Sequence, residues 1–178
     1  MADNHKNYSM APNAFDRSID DFAELCRLEA KCKIEIIEVD LVAVPSTISA
    51  TCWKMKDGYL IGVRPEPNIC WNRFVKCKEL FQVLLDDPQY YTMQIFQLIQ
   101  LWVSIAGITT PYTMSELMAE IAAMEYLFPY TERVSKKKSN MTQADYLEIA
   151  KIYKIPRVKV EEYLSDPSME ILGKYSRK

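Results

Sequence analysis

The feature that most restricts the fold of this chain is a change of hydrophobic period at Pro65 and Pro67. Before it, Ile34, Ile36, Ile37 and Val39 form a β-branched run, and residues 49–55 and 59–63 are two further strand-like runs around Lys56, Asp57 and Gly58. Glycine accepts the positive φ of a tight hairpin turn, so Asp-Gly between two such runs predicts a hairpin. Ahead of the strands, Phe15, Ile19, Phe22, Ala23, Leu25 and Cys26 recur at helical spacing, which predicts a helix over about 14–32. Beyond the prolines the pattern is helical throughout. One helix, a small antiparallel or mixed sheet of three strands, and then five helices make about six helices in an α+β pattern.

The helical half has readable punctuation. Residues 68–85 form a first helix ended by Asp86, Asp87 and Pro88, and 90–105 form a second closed by Gly107 and Pro111. A third starts at Thr113 or Ser115 and runs to Phe128, where Pro129 stops it. Thr142 with Asp145 three residues on resembles a capping box for a helix to about Tyr153, and Pro156 opens a last one through Leu164. The 91–105 stretch is apolar almost all round except for a narrow stripe of Gln94, Gln97, Gln100 and Ser104, so it has to be covered on most sides. Either the core, or a second subunit or partner, supplies that cover, which makes this helix the candidate for a homo-oligomer contact. Lys136, Lys137 and Lys138 read as an exposed loop.

With 178 residues, 49% of them hydrophobic, one domain with a substantial core is expected. Residues 1–14 read as a flexible tail, 15–165 as the domain, with a helix pair at 142–164, and 166–178 as a basic tail. No run of 18 apolar residues occurs, and the first 16 residues lack the apolar core of a secretory signal, so neither export nor membrane spanning is expected. The cysteines are Cys26, Cys32, Cys52, Cys70 and Cys77. Their odd number, and the absence of any C-x-x-C pair, predict reduced thiols in a cytoplasm, packed as small hydrophobes. Net charge is −2, but residues 1–132 carry 11 basic and 18 acidic side chains and 133–178 carry 11 basic and 6 acidic. The basic end includes Lys151, Lys154, Arg157 and Lys159 in the helix pair, a helix-turn-helix-like arrangement. Glu161, Glu162 and Asp166 interrupt that field, so nucleic acid is not the expected partner.

Residues 73–86, RFVKCKELFQVLLD, carry the chemistry. A zinc-peptidase helix needs H-E-x-x-H: two imidazoles four residues apart on one face, and a carboxylate beside the first as general base. The same five positions here read Lys78, Glu79, Leu80, Phe81 and Gln82, and the only histidine, His5, lies in the N-terminal tail. A neutral amide is a poor zinc ligand and a lysine must lose its proton to bind metal, so no metal and no cofactor is expected. The wet face of an ordinary amphipathic helix, with Cys77, Leu80, Phe81 and Leu84 turned to the core, would show the same polar residues.

The two segments 73–85 and 116–129 resemble, in order, the two motifs of the ImmA/IrrE family of zincin-like metallopeptidases. Arg73, Phe74, Glu79, Leu80 and Val83, Leu84, Leu85 agree with R-F-x-x-A-H-E-x-x-H-x-L-L. Glu116, Ala119, Ala123, Leu127 and Pro129 agree with E-x-x-A-N-x-F-A-x-x-L-L-x-P, while Glu120 and Ala122 replace its Asn and Phe. The resemblance covers about 20–165 and implies a zincin-like fold, with Glu116, the third metal ligand of the family, beside Glu79. It implies a degenerate site of Lys78, Glu79, Gln82 and Glu116, supported by Arg73, in which the Lys78 ammonium replaces the metal's charge. The function implied is that of a bacterial or phage pseudoenzyme that binds a protein or peptide partner, such as a helix-turn-helix transcription regulator. A residual peptidase that cleaves such a regulator and a DNA-associated regulatory protein are the alternatives.

Overall fold

The structure is a computed structural model and describes residues 17–40, 49–65, 68–86 and 111–176. The expected tail with His5, and the helix over 91–105 with its role in self-association, lie outside these residues. The described elements are α1 (Ile19–Ala30), β1 (Lys33–Glu38), β2 (Ala50–Met55), β3 (Gly58–Val63), α2 (Ile69–Leu85), α3 (Pro111–Leu127), α4 (Tyr130–Lys136), α5 (Gln143–Tyr153), α6 (Arg157–Tyr163) and α7 (Asp166–Ser176). This is the α+β class expected.

The sheet has the order β1-β3-β2, with β1 parallel and β2 antiparallel to β3, so it is mixed. β3 takes the centre because Tyr59, Leu60, Ile61 and Val63 are apolar on both faces, whereas the outer strands carry Lys33, Glu35, Glu38 and Lys54, charges that suit a sheet margin. Gly58 turns the hairpin at φ 150°, and a Cβ there would stand 1.9 Å from the Lys33 carbonyl oxygen. Only glycine lets β1 and the turn approach so closely.

Helix α1 starts where Ser18 accepts a bond from the Asp21 amide, and its Arg27 Nε donates to the Ile34 carbonyl at 2.9 Å, tying the helix to β1. Helix α2 is capped by Asn68 and buries Phe74, Cys77, Leu80, Phe81 and Leu84 between α1, α3 and the sheet. Ring centroids of Phe22 and Phe81 lie 4.8 Å apart and those of Phe22 and Tyr126 4.3 Å apart, so α1, α2 and α3 meet in one aromatic cluster. Truncating Phe81 to Ala there should cost about 3–5 kcal/mol.

Three boundaries differ from expectation. α3 begins at Pro111, ahead of Thr113 and Ser115, since a proline at the first helical position gives up an amide that has no partner there in any case. After Pro129 the chain forms a further helix, α4, because both Glu125 oxygens accept the Tyr130 amide, at 3.0 and 3.2 Å, and Glu125 also pairs with the buried Arg133. Residues 166–178 are not simply a tail: α7 buries Ser168, Ile171 and Leu172, and Gly173 brings it against Tyr130 of α4. The capping box of Thr142 and Asp145 forms as read, each residue accepting the other's amide, at 3.2 and 2.9 Å.

Candidate functional site

Helix geometry puts positions 78 and 82 on one face, one turn apart, and both side chains reach the same residue of α3. Lys78 Nζ lies 2.5 Å from Glu116 Oε2 and 3.2 Å from Glu79 Oε1, and Gln82 Nε2 donates to Glu116 Oε1. Four of the five expected site residues are therefore one hydrogen-bonded group. Arg73 is not part of it. Five residues of helix rotate it about 140° away from Lys78, and it donates instead to the carbonyls of Tyr153 and Arg17, both at 2.6 Å. It fastens α5 and the entry to α1 onto α2.

Glu79 is the one charged residue α2 buries, with its side chain 4% exposed, against 19% for Lys78 and 30% for Glu116. Burial pushes the Glu79 carboxyl above its ordinary range, and the adjacent Lys78 offsets only part of that. Burial works against the charge on Lys78, but Glu79 and Glu116 outweigh it and hold the ammonium above the usual lysine value. The amine stays protonated at neutral pH. It therefore repels a divalent cation from the point where the two carboxylates converge. A zinc ion does not fit residues that place an ammonium at the centre of the site, and no group of three potential metal ligands occurs among the described residues.

The cluster lies in a cleft of about 950 Å³, with residues 49–54 as one wall and α2 and α3 as the other. Consecutive residues of β2 face the cleft irrespective of parity, so the strand presents its edge. The Arg64 amide donates to the Ser49 carbonyl at 2.8 Å, and these two are directly opposite in the register. Hydrogen-bonded pairs alternate along an antiparallel ladder, so Thr51 and Trp53 bond β3 while Ala50, Cys52 and Lys54, which line the cleft, turn their amides and carbonyls away from β3. The Cys52 thiol is no nucleophile at neutral pH, because burial, aided by Glu79 and Asp86, pushes its pKa up to about 12. At the rim, Asp86 accepts from Lys54 Nζ at 2.6 Å and from the Tyr59 hydroxyl at 2.5 Å, joining the hairpin to the end of α2.

Sequence reasoning missed a second ion pair in the same cleft. Lys159 Nζ, from α6, lies 2.7 Å from Glu120 Oε1 and 3.0 Å from Glu162 Oε2, and 5.9 Å from the centre of the Phe74 ring. Glu120 stands one turn after Glu116, a signal visible in the sequence, but nothing local connects it to a lysine 39 residues away. This pairing also takes Lys159, 16% exposed, out of any basic face of the 142–164 pair, and Arg157 lies 3.7 Å from Glu161. No described helix is long and apolar enough to cross a membrane. Comparison with family models, with curated proteins and with solved structures yields no match to this chain.

Proposed function

We propose that the chain is a catalytically inactive, zincin-like relative of the ImmA/IrrE metallopeptidases that works as a protein-binding regulatory module. The observation that carries this is the Lys78 ammonium held between Glu79 and Glu116 in a cleft walled by the outer edge of β2. A cation bonded to the protein itself neutralises the carboxylates without supplying the Lewis acid and activated water that peptide hydrolysis by this class requires. The groove keeps the backbone groups of Ala50, Cys52 and Lys54, to which an extended segment can add as a strand, with main-chain bonds giving affinity. The partner class the resemblance implies is a helix-turn-helix regulator. A cytoplasmic setting belongs to the same reading, supported by five cysteines all present as thiols.

The test is to offer the purified chain a quenched-fluorescent peptide library with and without added zinc while following its backbone NMR resonances. Binding should perturb Cys52, Lys54, Lys78 and Glu116 with no cleavage in either condition. Zinc-dependent cleavage abolished by Glu79→Gln would establish the residual-peptidase reading in its place.

A further inference from the structure

The two lysines of the cleft stand in matched settings. Lys78 is clamped by Glu79 and Glu116, and Lys159 by Glu120 and Glu162. Each ammonium has three N–H donors; Lys159 donates to Glu120 and Glu162, and Lys78 donates to Glu116 with Glu79 paired 3.2 Å away, which leaves each with a donor that has no other protein acceptor among the described residues. Their partners Glu116 and Glu120 are successive turns of α3, two positions about 6 Å apart along the helix axis. Phe74, over whose ring Lys159 sits, is likewise one turn before Lys78 on α2.

An extended segment lying on β2 has a matching repeat. Alternate residues bond the strand, and the intervening ones turn their carbonyls away from it, toward the wall of α2 and α3, at about 6.8 Å from one to the next. We infer that Lys78 and Lys159 form a two-point clamp that holds the backbone carbonyl oxygens of residues i and i+2 of an extended peptide ligand. The inference rests on the peptide-groove reading above and adds to it the register and the acceptor groups of the ligand. Glu116 and Glu120 keep both ammoniums charged and aimed, so little side-chain freedom is lost on binding. Because carbonyls are read rather than side chains, the clamp sets backbone conformation and leaves sequence preference to the rim.

The experiment begins with a phage-displayed random dodecapeptide library selected on the full chain. The selected peptide is then scanned by replacing each backbone carbonyl oxygen with sulfur, a poorer acceptor. Two positions two residues apart should each lose about tenfold in affinity, as expected for a hydrogen bond to a charged group. Lys159→Met should lose about the same and make one position insensitive to sulfur, and Lys78→Met combined with Glu79→Gln should silence the other. Lys151→Met, on the exposed face of α5, should bind as the parent does. A peptide that shifts the Cys52 and Lys54 resonances yet binds Lys159→Met within twofold, or shows no paired sulfur effect on the parent chain, overturns the clamp and leaves the groove reading standing. The sulfur scan on the unaltered chain decides the matter even if a lysine variant does not fold. Selection of no peptide that shifts those resonances removes the groove reading and the clamp with it.

Discussion

Lys78 Nζ and Glu116 Oε2 are 2.5 Å apart although 38 residues separate them in the chain. The pair joins α2 to α3 inside the cleft, and the buried Glu79 lies 3.2 Å from the same ammonium. Charge that has left water is tolerated only with such a partner, and removing one member leaves the other buried alone.

Lys78→Ala should therefore destabilise the protein by about 3 kcal/mol, a drop in Tm of roughly 6–12 °C for a chain of this size. Lys151→Ala, exposed on α5, should stay within about 0.5 kcal/mol of the parent. Thermal unfolding of the two variants side by side measures this, and equal losses would remove the cluster from the account.

Glu79→Gln tests the burial of the carboxylate through pH. A carboxyl whose folded pKa is raised contributes stability below its unfolded value, near 4.3, and loses it as pH rises through the folded value. The parent should accordingly melt below Glu79→Gln at pH 7.5, and the two curves should converge by about pH 4. Lys78 retains Glu116 in the variant, so its own partner is not lost.

The double substitution Lys78→His and Gln82→His places two imidazoles one turn apart with Glu116 already in reach of both positions. Elemental analysis should find one zinc per chain in the variant and none in the parent, and the variant's Tm should rise with free zinc. A variant indifferent to zinc would count against a zincin-like disposition of α2 and α3.

Gly58→Ala asks for a side chain at φ 150° with its Cβ 1.9 Å from the Lys33 oxygen. The turn must shift and β1 with it, at a cost of about 3 kcal/mol. Loss of Tm should be accompanied by faster amide exchange at Lys33, whose N–H donates to the Asp57 carbonyl at 3.3 Å.

Local features were legible because a few neighbouring residues decide them. The Thr142 and Asp145 box and the turn at Gly58 both involve groups within three residues of one another. α7 was not legible, since its brief run of Met169, Ile171 and Leu172 follows a charged stretch and gains its meaning only against Tyr130. The roles of Arg73 and Lys159 were likewise hidden. Their partners are 80 and 39 residues distant, and a lysine or arginine on a helix reads as solvated until a carbonyl or carboxylate from elsewhere meets it.

From its order of residues alone, this chain determined the class of its fold, the hairpin, the common face of Lys78 and Gln82, and the loss of the histidines a zinc peptidase requires. Hydrophobic period, turn chemistry and side-chain type are properties of the covalent chain and do not depend on how it packs. Only the tertiary structure decided that β3 lies between β1 and β2, that Glu79 is buried rather than wet, and that Lys78, Lys159 and residues of β2 line one cleft. Those facts depend on which polar groups the packing of α2, α3 and α6 removes from water, and periodicity marks a face as polar without saying what comes to cover it.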